Sequence, residues 1–82
     1  MTDFLLDQLI TESVELKGFE LVTNRPLSLY NKAYEHLRVV LAKHSRHAEF
    51  AVWIYDASTH ILSEGLFTNI KEMAYNDFYT RV

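Results

Sequence analysis

The run FAVWIY at residues 50–55 constrains this chain more than any other segment. Its β-branched and aromatic residues favour a strand, and a strand sends alternate side chains to opposite faces. Phe50, Val52 and Ile54 then line one face, and Ala51, Trp53 and Tyr55 the other. Both faces are apolar. An antiparallel sheet commonly leaves one face in water, so the second face here needs a cover, either a helix of the same chain or another molecule.

The means of covering it are limited. Eighty-two residues suffice for one domain with one core. There is no cysteine, so neither disulfides nor a thiolate metal site can supplement that core, which must come from apolar packing or from a second copy. Hydrophobic and charged shares of 49% and 23% are those of a globular protein. The N-terminal residues are acidic where a signal peptide is basic, and no apolar run approaches the roughly 20 residues of a membrane span. A cytoplasmic location is expected.

Hydropathy periods predict the rest of the fold. From Asp3 to Lys17, the residues Leu5, Leu6, Leu9, Ile10 and Leu16 share an arc of about 140° at 100° per residue, which describes an amphipathic helix. Thr2 or Asp3 caps its start, and Lys17 followed by Gly18 stops it. A competing reading takes Val14 and Leu16 into an early strand with a bulge at Gly18. Phe19–Thr23 reads as a short edge strand, closed by Asn24, Arg25 and Pro26. Leu27 to about Arg46 shows a second helical arc, with Leu29, Tyr30, Ala33, Tyr34, Leu37, Val40 and Leu41 on one side, and is predicted to be a long helix. Residues 50–55 and 61–67 form a hairpin about a turn at 56–60. Asn69 and Glu72 have capping-box spacing ahead of a short last helix. The expectation is a single α+β domain over residues 1–82, with an antiparallel sheet packed against helices.

Charge is arranged in blocks. Residues 1–20 hold five acids against Lys17 alone, and residues 25–47 hold Arg25, Lys32, Arg38, Lys43 and Arg46 against Glu35 alone, although the whole chain carries only −3. The simplest account pairs the first block with the second, within the chain or across a dimer. A nucleic-acid reading would use Arg38, Lys43 and Arg46 on the long helix, but the helix–turn–helix that precedes a wing has no counterpart here.

Signals for chemistry are few. His44 and His47 are close enough to share an ion but make only half a site, so no metal or other cofactor is expected, and a metal-dependent activity at this pair stands only as a further alternative. Gly18 and Gly65 are the only glycines, which leaves no phosphate loop. Ser58 and His60 sit near Asp56 in an exposed turn without the protected pocket a catalytic serine needs. The sequence points away from an enzyme and toward a small protein-interaction module, a regulator, inhibitor or adaptor, that self-associates as a homodimer through the outer face of the hairpin. Trp53, Tyr55 and Ala51 would anchor it, extended by Tyr75 and Tyr79 on the last helix.

Overall fold

The structure is a computed structural model that describes residues 2–27 and 32–82. Helix α1 (Thr2–Leu16) leads into four strands, β1 (Phe19–Pro26), β2 (Leu37–His44), β3 (Phe50–Asp56) and β4 (Ile61–Thr68), and helix α2 (Lys71–Arg81) ends the chain. The strands form one antiparallel sheet in the order β1-β2-β3-β4. This is the α+β class expected from the sequence, but with four strands and two helices.

α1 ends as its sequence requires. Gly18 takes φ 85, a left-handed conformation that glycine adopts without a steric penalty, and its N–H donates to the Glu15 carbonyl. The early strand through Val14 and Leu16 does not form. The caps assigned to Thr2 or Asp3 lie outside the residues whose side chains are described. At α2 the Asn69–Glu72 capping box is not made. Ile70 is the cap residue without a side-chain bond, and its own N–H donates to the Thr68 hydroxyl.

The long helix predicted over 27–46 is absent, and this is the main correction. Residues 37–44 are β2, preceded by a single 3₁₀ turn at Lys32–Tyr34, while Leu29 and Tyr30 of that arc lie outside the described residues. The reason is visible in burial. Val39, Val40, Leu41 and Ala42 are four consecutive residues with no exposed surface. A surface helix buries about one residue in two on a stripe, whereas a central strand covered on both faces buries an unbroken run. β2 meets that condition because β1 and β3 flank it and a helix packs on each face.

The core is accordingly double. On one face Ile10 and Val14 of α1 pack with Phe19, Val40, Ala42, Ala51, Trp53 and Tyr55. On the other, Ala74 and Phe78 of α2 pack with Val39, Leu41, Val52 and Ile54. The cover that the 50–55 run demanded thus comes from the chain itself. Fully burying each large aliphatic or aromatic side chain contributes about 1.5–3 kcal/mol, so these two layers hold the sheet without a disulfide.

Candidate functional site

The residues singled out from sequence are not brought together. Ala51 and Tyr55 have no exposed surface, and Trp53 is only 4% exposed. Trp53 lies edge-on to Phe19 at 5.2 Å and to Phe67 at 5.6 Å, and its indole passes over Gly65. These three residues are core, because the α1 layer and neighbouring aromatics take the place assigned to a partner. Tyr75 and Tyr79 cannot extend a patch around Trp53, since they belong to α2 on the opposite face. Tyr75 is half-buried against Phe50, and Tyr79 is exposed.

The basic trio is also dispersed. Arg38 and Lys43 are five residues apart on one strand and point to opposite faces, about 17 Å apart along it. Arg46 lies in the following loop. Arg38 is further engaged, its Nε donating to Asn24 Oδ1 at 2.6 Å, while Asn24 Nδ2 donates to Asp7 Oδ1 at 3.0 Å. That relay links the acidic and basic blocks, as does the pairing of β1 with β2, which sets Glu20 opposite Lys43. Among the described residues the only salt bridge is Arg81–Asp77 at 2.8 Å within α2.

His44 closes β2 instead of sitting on a helix. Its Nδ1 accepts from the Arg46 and His47 backbone N–H groups at 3.0 and 3.1 Å, and its ring lies 4.5 Å from that of His47. The nitrogen is therefore engaged in holding the loop. Among the described residues no three histidine or carboxylate groups gather. In the 56–60 turn, Ser58 Oγ donates to Asp56 Oδ1 at 2.6 Å, and these Ser58 bonds hold the carboxyl below the usual aspartate range. His60 Nδ1 bonds the Tyr55 hydroxyl at 2.7 Å. Ser58 and His60 thus have separate partners and form no dyad.

What remains as a site is one flank of the molecule. On α1 the stripe that meets the sheet is Leu6, Ile10 and Val14. Leu5, Leu9 and Leu16 fall within about 40° of each other and lie beside that stripe, not on it. Leu5 is 57% and Leu16 is 89% exposed. This flank looks toward the β3–β4 side. Leu5, Leu6 and Leu9 share a depression with Arg38, Ala57 and His60. Ser13, Leu16 and Lys17 share the next one, of about 330 Å³, with His60, Ile61 and Leu62. Its far wall is edge strand β4, where Ile61 and Phe67 are more than half exposed. The signal for this flank was present in the sequence, since α1's apolar arc is wider than the stripe a sheet covers.

Strand β4 is irregular at its middle. The register shifts between Val52 and Ile54, so that Glu64 and Gly65 together oppose Trp53. Glu64 has φ 54, and its carbonyl accepts from Arg81 Nη1 at 2.9 Å.

Compared with known proteins, the chain matches no protein-family model, no curated protein and no solved structure. Among the described residues no helix is long and apolar enough to cross a membrane.

Proposed function

We propose that this chain is a small protein-interaction module that self-associates through the flank formed by Leu5, Leu9 and Leu16 of α1 and edge strand β4. One observation carries the reading. The chain's own helices cover both faces of its central strands, yet Leu5 and Leu16 of α1's apolar arc are left exposed, Leu5 and the half-buried Leu9 beside the 56–60 turn and Leu16 beside edge strand β4. Exposed apolar residues scattered singly need no explanation, but a row of them beside open backbone hydrogen-bonding groups is a docking surface.

The two sheet edges support a second copy as the occupant. Both edge strands carry a bulge, but β1 also carries Glu20, Arg25 and Pro26, residues that discourage strand addition. β4, ILSEGLFT, has neither proline nor a basic residue, and Glu64 is its one charge.

The test is the mass in solution from 1 to several hundred micromolar, set against a Leu16→Glu variant. Leu16 is 89% exposed, so the charge should leave the fold intact. A concentration-dependent dimer that Leu16→Glu weakens at least tenfold is the expected result. A monomer throughout, or a dimer indifferent to Leu16→Glu, overturns the reading.

A further inference from the structure

Resting on that reading, we infer that two copies join antiparallel along β4, about a two-fold axis between Glu64 and Gly65, to make one continuous eight-stranded sheet. The parity of side chains along β4 points to this pairing. Residues opposed across an antiparallel pair point to the same face. By the register with β3, Leu62 and Phe67 lie on the α1 face with Tyr55 and Ala51, while Ile61, Ser63, Leu66 and Thr68 lie on the α2 face. Glu64 and Gly65 share the position opposite Trp53 on the α1 face.

An uninterrupted strand does not have this order of faces. The extra residue makes it symmetric about the 64–65 bond, so that it reads the same from either end. In one register alone do all eight residues of β4 find a same-face partner in a second β4. There Leu62 opposes Phe67 of the second copy, Ser63 opposes Leu66, Ile61 opposes Thr68, and Glu64 opposes Gly65. Moving the axis by half a residue or a whole one sets α1-face residues against α2-face residues.

The chemistry along the edge fits this arrangement. Leu62 and Phe67 meet on the α1 face, next to the depression that holds Leu16. Arg81 already occupies the Glu64 carbonyl, so backbone pairing runs through 61–63 and 66–68 on either side of the bulge. The one unfavourable contact is the approach of two exposed Glu64 carboxylates near the axis.

The chain has no cysteine, so Ile61→Cys and Thr68→Cys proteins report the pairing without background. Mixed and oxidised at a concentration where the native protein is dimeric, they should form a disulfide-linked heterodimer, because directly opposed Cα atoms are roughly 5 Å apart. Neither should link to itself, since each residue lies seven positions, about 23 Å, from its own copy. A dimer by mass with no disulfide in the mixture overturns the β4 pairing and leaves association through the flank standing. A monomer at all concentrations overturns both.

Amide exchange in the unmodified chain gives an answer that does not depend on variants folding. Among 61–63 and 66–68, the alternate amides that point away from β3 should slow at least tenfold as the dimer forms, while those of β1 do not change. Unchanged exchange in β4 as the dimer forms overturns the pairing. Glu64→Gln should tighten the dimer a few-fold by removing the like charges, and weaker association would count against the axis.

Discussion

At residue scale, two neighbouring positions in β4 show opposite relations between backbone and side chain. Gly65 is glycine because of space: a Cβ there would meet Trp53 Nε1 at 2.8 Å and Phe67 Cε2 at 3.0 Å. Gly65→Ala should therefore push the indole out of its layer and lower stability by about 1–3 kcal/mol, measurable by urea denaturation. Glu64 is the reverse case, a side chain held at φ 54 where an L-residue carries a penalty of about 1–2 kcal/mol. Its side chain is exposed, so Glu64→Gly should raise the unfolding free energy by about 1 kcal/mol in the same measurement. Both positions are legible only once β4 is known to bulge against Trp53, since a glutamate beside a glycine in a polar stretch otherwise reads as turn chemistry.

At the scale of elements, the readable parts were those whose structure depends on their own residues. α1 with its Gly18 stop, the 50–55 and 61–67 hairpin and the last helix all occur close to where their periods placed them. β2 did not, because its arc of Tyr34, Leu37, Val40 and Leu41 fits a helical period as well as a buried strand does. A run of apolar residues long enough for either is decided by its neighbours. The helix that does form is tested at Ile10, which has no exposed surface and anchors α1 to the sheet. Ile10→Ala should cost about 2–5 kcal/mol and release α1 first, seen as early loss of protection at its amides in hydrogen exchange. Trp53→Glu distinguishes core from interface in the same layer. A charge at a 4% exposed site should unfold the protein, whereas a folded monomer would restore Trp53 as a contact residue.

At the scale of the whole molecule, the central strands β2 and β3 are covered on both faces while the sheet is open at its edges, and the proposed docking surface accordingly lies at an edge. One buried titratable group links the turn, α1 and the core. Burial pushes the Tyr55 phenol above the usual tyrosine range, and a hydrogen bond from Ser13 opposes the shift while Asp56 adds to it. The folded state thus holds its proton after the unfolded chain has begun to lose it. The stability this contributes is complete below about pH 10, where an unfolded tyrosine titrates, and is lost as pH rises toward the higher folded value. Alkaline unfolding followed by tyrosine absorbance should show a steeper fall in the native protein than in Tyr55→Phe. Equal slopes would mean that the phenol is not held from water.

The sequence by itself determined the α+β class, the amphipathic helix with its stop, the hairpin, and the requirement that the 50–55 strand be covered twice. Those follow from periods of 3.6 and 2 and from glycine's conformational range, all local properties of a chain. Only the tertiary structure decided what supplies the cover, that Val39–Ala42 lies in a strand, that Trp53 faces inward, and that the apolar surface left over lies along α1 and β4. Burial is a relation between distant segments, and a side chain's own chemistry does not say which neighbour will reach it first.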